Sequence, residues 1–330
     1  IDINGSIING KLKFDIVSNL SDEHTQKLAK RFTIKLEDVI KHTSSLPRTY
    51  LTESDVEKIV SQSYLDKIQN TKEVEAVYMA NSLHQGFIYH FLNQGDVDDA
   101  YIVQAVWQYK GKLDLETLYE SWSLAQKKYP SLRLRFKWDE ELVQIIDKEG
   151  KIDWRYTDLS KIKDINRQEN KVRDIQKTDR QERYDLEIGN LFRVYIIKQK
   201  EDLYSCILSE HHAMIDGWSA PILIGYVHGT YDKLTQGLGK SLIDTSLDKT
   251  YLKAQSYLQK TQGDNEKYWK HYVSKIEDHL DLSGLISNSD LTVHALSKHK
   301  EISDPQEKTL LIKGTLYSEL KSFSATEGIT

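Results

Sequence analysis

The sequence of 330 residues contains a single cysteine and no long apolar run. One thiol, Cys206, excludes an intrachain disulfide framework and a zinc site built from cysteines. Because no run of about 18 apolar residues occurs, no segment is expected to cross a membrane as a helix. The first residues also lack the basic and then apolar segments of a secretory signal peptide. These absences favour a reducing compartment, and we expect the chain in the cytoplasm.

An excess of basic charge is also missing. Lysine and arginine number 45 and aspartate and glutamate 50, which gives a formal net charge of −5. A nucleic-acid-binding protein usually presents a basic face, so we expect no nucleic-acid partner. Apolar residues make up 39% of the chain, enough for a substantial core. The length corresponds to more than one average domain and fewer than three.

The sequence pattern of residues 1–42 predicts strands, a tight turn and a helix. Apolar and polar residues alternate at the start, and two Asn-Gly dipeptides mark turns. A periodic apolar pattern then predicts a helix to about residue 42, with Asp22 as its N-cap. Residues 43–74 are polar and poorly periodic apart from a short helical stretch near residues 53–60, so we interpret them as a linker. The first 42 residues are therefore expected to be the tail of a preceding domain.

From Val77 onward, helical and strand patterns alternate without an internal repeat or a low-complexity tract. The predicted helices cover residues 82–92, 115–129, 162–183, 218–236, 247–260 and 265–276, and another begins at 318–326. The predicted strands cover residues 100–108, 132–138, 141–146, 191–199, 203–210 and 309–313.

The segment SEHHAMIDGWS, residues 209–219, ends a predicted strand with two histidines and places an Asp-Gly pair in the loop before the next helix. Loops on a rigid scaffold are where binding and catalytic residues concentrate. Four interpretations of the histidine pair compete. They are a buried structural pair, which is the commonest role for a single histidine, a metal site, a nucleophile triad and a general base.

The residues themselves disfavour two of these interpretations. Adjacent histidines of a strand point to opposite faces, so both do not readily bind one metal ion, and Asp216 alone is weak support for a metal. Ser209 and Ser219 lie nearby, but the G-x-S-x-G turn that presents a nucleophilic serine does not occur. A structural pair stays open, and so does a general base oriented by the neighbouring histidine or the loop aspartate.

The pattern His-His-x-x-x-Asp-Gly, followed by Trp-Ser and a helix, resembles the signature of the condensation domains of non-ribosomal peptide synthetases. These domains belong to the chloramphenicol-acetyltransferase-like superfamily. Four other segments are similar to further motifs of the family, and the last of them, residues 251–269, is a degenerate match. They are YMANSLHQGFIYH at 78–90, YPSLRLRF at 129–136 with Tyr129 in place of a histidine, YDLEIGNLFR at 184–193 with Asn190 in place of a proline, and 251–269.

The resemblance covers residues 77–330 and implies an α/β (α+β) fold. We expect a chloramphenicol-acetyltransferase-like lobe at residues 75–330, a mixed sheet flanked by helices, in a truncated condensation domain whose second lobe is largely missing. Residues 1–42 resemble the closing hairpin and helix of an upstream epimerization or condensation domain, joined by the linker at 43–74. The chain is thus expected to be a segment of a multidomain megaenzyme, and whether this segment alone is active stays open.

The resemblance implies an acyltransferase of secondary metabolism that forms amide bonds in peptide antibiotic biosynthesis. The amine of an aminoacyl group on one peptidyl carrier domain would attack a donor thioester on another. The expected partners are the upstream and downstream carrier domains, whose phosphopantetheine arms hold both substrates, and an adjacent adenylation domain. We expect no directly bound cofactor, no metal and no membrane. The upstream tail suggests a D-configured donor and an L-configured acceptor.

The resemblance makes His212 the catalytic residue. It would act either as a base or by orienting the amine and stabilising the tetrahedral intermediate. His211 is expected to serve as scaffold. Asp216 would pair with an arginine and so fix the loop, with Arg133 at the matching position and Arg135 as the alternative.

The residues after the aspartate complete the expected site. Gly217 would let the pantetheine arm approach and would contact the developing oxyanion through its N–H. Trp218 and Ser219 open the next helix, where we expect Ser219 to cap the helix and Trp218 to lie in the core. The aromatic residues of helix 82–92 are interpreted as packing rather than as a binding site, namely Phe87, Tyr89 and Phe91.

Three other functions are compatible with parts of this pattern. An epimerization-type domain shares His-His-x-x-x-Asp, but Gly217-Trp218-Ser219 favours condensation. A non-catalytic carrier-docking domain of the same fold commonly loses the histidines, and this chain has both. A free-standing acyltransferase that uses coenzyme A is disfavoured by the preceding tail and linker.

Overall fold

The computed structural model describes residues 1–93, 100–238, 240–276 and 308–329. The chain divides into two compact units, and the division falls after Val77.

A two-stranded hairpin opens the first unit. Strands β1 (Asp2–Ile8) and β2 (Lys11–Val17) pair antiparallel. The two residues between them, Asn9 and Gly10, have φ of 50° and 74°. A two-residue turn of this type needs positive φ at both positions, which asparagine and glycine tolerate best. The hairpin predicted from the alternation and the Asn-Gly dipeptide is therefore present.

Helix α1 (Asp22–Ser45) follows, and its N-cap is Ser21 rather than Asp22. The Ser21 side chain accepts a hydrogen bond from the backbone N–H of His24, so the predicted cap is wrong by one residue. Asp22 lies in the first turn, where the helix dipole stabilises a carboxylate. No side chain among residues 1–42 is buried.

The segment interpreted as a linker contains a helix of its own. Helix α2 (Gln62–Gln69) buries three large side chains, those of Tyr64, Leu65 and Ile68. The helical stretch predicted near residues 53–60 is wrong, because Glu57 and Lys58 adopt φ of 52° and 58°. Right-handed helices of L-amino acids require negative φ.

Strand β3 (Val74–Met79) leads into the second unit, where helices and strands alternate. The elements are α3 (Ser82–Asn93), β4 (Ile102–Lys110), α4 (Leu115–Lys128), a 3-10 turn (Pro130–Arg133), β5 (Leu134–Lys137), β6 (Val143–Asp147), β7 (Asp153–Asp158), α5 (Ile165–Gln181), β8 (Phe192–Lys200), β9 (Leu203–His211), α6 (Ser219–Thr235), α7 (Thr250–Val273) and α8 (Gly314–Glu327).

A four-stranded mixed sheet forms the centre of this unit, in the order β4–β9–β8–β7. Strand β9 pairs antiparallel with β4 and with β8, whereas β7 pairs parallel with β8. The expected mixed sheet is thus present. Strand β7 is not among the predicted elements, because it lies at the sheet edge and its side chains are only partly buried. The apolar alternation that marks a half-buried strand is therefore weak in its sequence.

Helices cover both faces of this sheet. Helix α4 packs beside α6, and Trp122 of α4 is fully buried with its ring centroid 6.1 Å from that of Phe192 in β8. On the other face, Val172 and Ile175 of α5 pack against a core cluster that includes Ile207. Among the described residues, no helix combines the length and the apolar character that crossing a membrane requires.

A smaller sheet contains β5 and β6, which pair antiparallel. The Nε2 of Gln144 in β6 donates a hydrogen bond to the carbonyl of Met79 (2.9 Å). The hydroxyl of Tyr251, at the start of α7, donates to the Oε1 of the same glutamine. One buried amide therefore joins this sheet to α7.

Several predicted elements or boundaries differ from the structure, most clearly in the second half of the chain. Helix α7 is continuous where two helices were expected, because a glycine such as Gly263 is tolerated inside a helix at a cost of about 1 kcal/mol. The strand predicted at 309–313 is wrong: residues 308–313 have no regular structure, and α8 begins at Gly314. The strand predicted from residue 132 begins at Leu134, because the 3-10 turn precedes it.

Removing residues 1–42 is expected to leave the second unit folded, because no side chain in this segment is buried. The thermal unfolding midpoint should stay within about 2 °C of that of the full chain, a shift that corresponds to less than 1 kcal/mol. Near-ultraviolet circular dichroism, which reports the packing of buried residues such as Trp122, should be unchanged. Loss of cooperative unfolding would contradict this prediction.

Candidate active site

Strand β9 ends at the two histidines, and backbone hydrogen bonds hold both of them. The N–H of His211 donates to the Leu191 carbonyl (2.9 Å), and the N–H of His212 donates to the Tyr101 carbonyl (2.8 Å). Tyr101 itself has a φ of 66°, and Asn190, just before Leu191, has a φ of 59°. Left-handed conformations of residues other than glycine are uncommon and concentrate at functional sites. The backbone of the histidine pair is therefore positioned from both sides of the strand.

The side chain of His211 belongs to the turn that follows. Its Nδ1 accepts a hydrogen bond from the backbone N–H of Ala213 (3.1 Å), so in the neutral ring the proton lies on Nε2. Burial lowers the pKa of His211 to about 4, and the neighbouring His212 adds to this effect. The ring also lies edge-on to Tyr184, with centroids 6.3 Å apart. These contacts support the scaffold role that we predict for His211.

His212 has a different environment. Its side chain is half-buried, and its ring centroid lies 6.3 Å from that of Phe87. The Nδ1 atom is buried without a hydrogen-bond partner among the described residues. Unlike the Nδ1 of His211, the Nδ1 of this imidazole accepts no hydrogen bond from the backbone of the turn. A neutral imidazole carries one donor and one acceptor, which is what a general base or an amine-orienting group requires.

The loop after the histidines is held at both ends. The side chains of Ala213, Met214 and Ile215 are buried, which anchors the first half. In the second half, the carboxylate of Asp216 accepts a hydrogen bond from the backbone N–H of Ser219 (2.8 Å). Hydrogen bonds from Ser219 lower the pKa of Asp216 below its ordinary value. The aspartate is therefore ionised and caps the first turn of α6.

The predicted ion pair between Asp216 and Arg133 is wrong. The buried guanidinium of Arg133 donates from Nη1 to the carbonyl of Asp147 (2.7 Å) and from Nε to that of Gln126 (3.0 Å). The alternative partner, Arg135, forms a buried ion pair with the side chain of Asp147 (2.9 Å). Arg133 follows the last turn of α4, where a cation satisfies carbonyls that the helix leaves unpaired.

Three other expectations for this loop need correction or refinement. Ser219 does not cap α6 with its side chain; its N–H is the group that Asp216 caps. Trp218 is 89% exposed, so its predicted core position is wrong. Gly217 is not among the residues with positive φ, and a Cβ added there would meet no atom within 4 Å. The space beside this glycine is therefore open to an approaching group, which is the role predicted for it.

The aromatic residues of α3 have three different environments. Phe87 is buried against the histidine pair, with its ring centroid 6.1 Å from that of His211. Phe91 packs against Trp138 at 6.2 Å, whereas Tyr89 is 71% exposed. Packing therefore describes Phe87 and Phe91 but not Tyr89.

Sequence reasoning missed Glu210, which precedes the histidine pair. Its side chain is 4% exposed, and its Oε2 is buried without a hydrogen-bond partner among the described residues. Burial raises the pKa of Glu210 to about 8, and the charge of Asp216 contributes. This acid is therefore mostly protonated at neutral pH. The available signal was its place in a strand that is buried on both faces, where a charged residue is rarely fully buried without a partner.

A cavity of about 400 Å³ opens beside the loop. Its walls come from the loop and α6, from the 3-10 turn after α4 and from the start of α7. They include Ile215, Ser219, Tyr129, Leu132, Tyr251 and Ala254. Within the described part of the chain, no cluster of three or more histidine, cysteine, aspartate or glutamate residues could hold a metal ion. The site as described consists of imidazole, carboxyl, hydroxyl and backbone groups.

Comparison with known proteins relates this arrangement to one family. The family model described as "Condensation domain" matches residues 74–330. The chain belongs to the condensation-domain family. Condensation domains are acyltransferases of non-ribosomal peptide synthetases, so the family predicted from His-His-x-x-x-Asp-Gly is confirmed.

The similar curated proteins are peptide synthetases. The condensation domain is 40% identical over 253 residues to N-(5-amino-5-carboxypentanoyl)-L-cysteinyl-D-valine synthase of Amycolatopsis lactamdurans. The aligned region covers 76% of this chain and 7% of that synthase. The synthase of the same name from Penicillium chrysogenum is 33% identical over 264 residues, 80% of the chain and 7% of the synthase. Bacitracin synthase 3 of Bacillus licheniformis is 26% identical over 341 residues, 100% of the chain and 5% of that protein. The chain thus spans a small part of these relatives.

A solved structure supports the fold. A variant of the starter condensation domain of rhizomide synthetase, in a "product-released" conformation, matches with a TM-score of 0.55 at 18% sequence identity. The match covers 67% of this chain and 49% of that one. Coverage of half the larger chain fits one lobe of the chloramphenicol-acetyltransferase-like fold, as expected.

Replacing Asp216 by alanine is expected to lower the stability of the condensation domain by about 1 kcal/mol, the usual effect of losing an N-cap. Turnover should fall as well, because the loop that carries His212 loses an anchor. Asp216→Asn keeps an oxygen acceptor and should retain most of both properties. Urea unfolding and single-turnover peptide formation measure the two effects separately.

Asp164→Ala provides the matched control, because Asp164 caps α5 in the same way through the N–H of Arg167 (3.2 Å). This variant should lose similar stability and keep its turnover. Normal stability with lost turnover in Asp216→Ala would contradict the capping role and favour a direct chemical one.

Replacing Glu210 by glutamine is expected to make the domain more stable at alkaline pH. Because the folded-state pKa is about 8 and the unfolded-state value is near 4.5, wild-type stability falls as pH rises through this window, by up to about 1.4 kcal/mol per pH unit. Glutamine has no proton to lose, so the stability gap between variant and wild type should widen from pH 6 to pH 8. Urea unfolding at both pH values measures it, and a constant gap would refute a buried neutral acid.

Proposed function

We propose that this condensation domain forms a peptide bond between two carrier-bound substrates. The amine of the aminoacyl acceptor attacks the carbonyl carbon of the donor thioester. A C–N bond forms, the C–S bond breaks, and the peptide passes to the acceptor carrier while the donor's pantetheine thiol leaves. The observation that carries the proposal is the placement of His212 at the end of β9, with an Nδ1 that the turn does not use, in a chain of this family.

In the proposed step, His212 either takes the proton of the attacking amine or holds the amine by a hydrogen bond. A thioester is already activated, so the base does not have to supply the whole acceleration; general-base catalysis is typically worth about 10²–10⁴-fold. The oxyanion of the tetrahedral intermediate would lie near Gly217, whose N–H can stabilise it. The open space beside this glycine supports such an approach.

We further propose the partners and the subtype. Both substrates arrive on phosphopantetheine arms of upstream and downstream carrier domains, and an adenylation domain lies next in the synthetase; the multidomain relatives support this arrangement. Residues 1–42 form the tail of a preceding epimerization or condensation domain. The match to bacitracin synthase 3 extends over this segment, which lies before the condensation match. An upstream epimerization domain would supply a D-configured donor to an L-configured acceptor.

Replacing His212 by alanine is expected to lower single-turnover peptide formation by about 10²-fold or more. Thermal stability should change little, because Nδ1 of this ring makes no hydrogen bond within the described residues. The assay uses the chain extended through its natural downstream sequence, with two carriers loaded with aminoacyl groups. Quench-flow separation of the peptidyl carrier measures the rate.

His211→Ala is the matched control, because its Nδ1 holds the Ala213 N–H; it should lower stability as well as rate. Donors of both configurations belong in the same assay, and preference for the L donor would refute the proposed subtype. Undiminished transfer by His212→Ala would contradict the catalytic role. Absence of transfer in the wild type, over a panel of loaded carriers, would favour a carrier-docking domain.

A further inference from the structure

The cavity beside the catalytic loop is built by the loop and by its neighbours in the second unit. Two of its lining residues, Ile215 and Ser219, stand on either side of Asp216-Gly217 in the chain. The other walls come from α6, from the 3-10 turn after α4 and from the start of α7. The cavity therefore borders the part of the loop beside which the proposed reaction takes place.

The cavity has a buried apolar floor and an exposed rim. Leu132, Ile215 and Leu223 line the floor, and each side chain is at most 6% exposed. Ile222 and Ala254 line the cavity from solvent-exposed positions. Its volume is about 400 Å³. Ligand sites in proteins usually measure about 300–1,000 Å³ and are lined mainly by apolar and aromatic side chains, with a few polar groups.

Two polar groups of the walls are engaged by the protein itself. The Tyr251 hydroxyl donates a hydrogen bond to the Oε1 of Gln144. The Asp248 carboxylate accepts one from the backbone N–H of Thr250 (2.8 Å), and hydrogen bonds from Thr250 lower the pKa of Asp248 below its ordinary value. A ligand would therefore be bound chiefly by burial of apolar surface. The ionised Asp248 would repel an acidic ligand.

The two substrates of the proposed reaction make different demands on such a cavity. The acceptor arrives as a single aminoacyl group, and its side chain is the part that distinguishes one acceptor from another. A donor extended by a preceding domain carries a peptide that has to pass out to solvent. A cavity with a buried floor accommodates one side chain better than a continuing peptide.

We propose that this cavity is an acceptor pocket, which receives the apolar side chain of the acceptor aminoacyl group. This inference rests on the function proposed for the loop. The acceptor is then an amino acid with an uncharged branched or aromatic side chain. One methylene group in a hydrophobic pocket changes kcat/KM by about 10–200-fold. The domain should therefore use a leucyl acceptor at least about 10-fold better than an alanyl acceptor, and a glutamyl acceptor should be poorer still.

Filling the acceptor pocket tests the proposal in the same peptide-forming assay. The carriers are loaded with alanyl, leucyl, phenylalanyl or glutamyl acceptors. Ala254→Phe directs a ring into the cavity from an exposed position, so the fold should be kept. For the leucyl and phenylalanyl acceptors, kcat/KM should fall about 10-fold or more, mainly through KM. The alanyl acceptor needs little of the cavity and should keep its rate.

Lys253→Phe is the matched control. Lys253 precedes Ala254 on α7, is exposed and lies outside the cavity lining, so this variant adds the same ring elsewhere. Its kcat/KM should match that of the wild type for every acceptor. Should Ala254→Phe fail to fold, Thr250→Trp decides, because Thr250 lines the cavity from a second exposed position and its bond to Asp248 comes from the main chain.

The outcomes of the assay either support or overturn the acceptor pocket. Loss confined to the large acceptors in Ala254→Phe, with Lys253→Phe unchanged, would support it. An equal loss for all acceptors, or no change for any of them, would overturn it. A change in selectivity that follows the side chain of the donor would also overturn it, because the cavity would then belong to the other substrate.

A binding measurement separates this proposal from the one on which it rests. Calorimetry with leucyl and alanyl pantetheine analogues, in which an amide replaces the thioester, does not require turnover. Tighter binding of the leucyl analogue, and loss of that difference in Ala254→Phe, would support the pocket even if His212→Ala transferred peptide at the wild-type rate and so overturned the proposed function. Equal affinities for the two analogues in the wild type would overturn the pocket alone.

Discussion

The pairing of β9 with a strand on each side is the constraint on which the site depends. The last two bonds of this pairing hold the N–H groups of His211 and His212. A shift of one residue in a strand exchanges the two faces of the sheet for every side chain, so the register is strongly determined wherever a face is buried. Both acceptors lie at or beside left-handed residues, Tyr101 and Asn190. These two residues lie just before β4 and β8 begin, beside the start of the loop that follows the histidines.

Asn190 shows how one substitution is accommodated in this arrangement. The family motif has proline at this position, and proline cannot adopt the φ of 59° seen here. Asparagine reaches the left-handed region more readily than most residues. Asn190 therefore forms a left-handed turn that proline could not form. After this turn, the carbonyl of Leu191 accepts a hydrogen bond from the N–H of His211 (2.9 Å).

The groups around His212 are mostly uncharged. Burial keeps His211 neutral above about pH 4 and raises the pKa of Glu210 to about 8. The exposed carboxylate of Asp216 is the charged member of the loop. A site of this kind suits the proposed reaction, because the attacking amine must be neutral. Hydrogen bonds to the intermediate are also stronger where water and competing charges are few.

The sequence predicted the element types in the second unit well and their ends less well. Helical and period-two patterns located α4, α5, α6 and β4, whereas β8 and β9 were located as nearly continuous apolar runs because both of their faces are buried. The pattern was ambiguous where burial is slight, so the edge strand β7 was missed and the continuous α7 was divided at Gly263. Trp218 was placed in the core because large aromatic side chains usually lie there, whereas the loop leaves it exposed.

Within the site, the sequence by itself determined the family, the spacing of His212 and Asp216, and the strand-to-helix loop that carries them. These features depend on neighbours in the chain. Only the tertiary structure decided that Arg133 holds carbonyls near α4 and β6 and that Glu210 is a buried acid with a raised pKa. Such properties depend on burial and on partners far away in the sequence. Both arise only when the strands and helices pack.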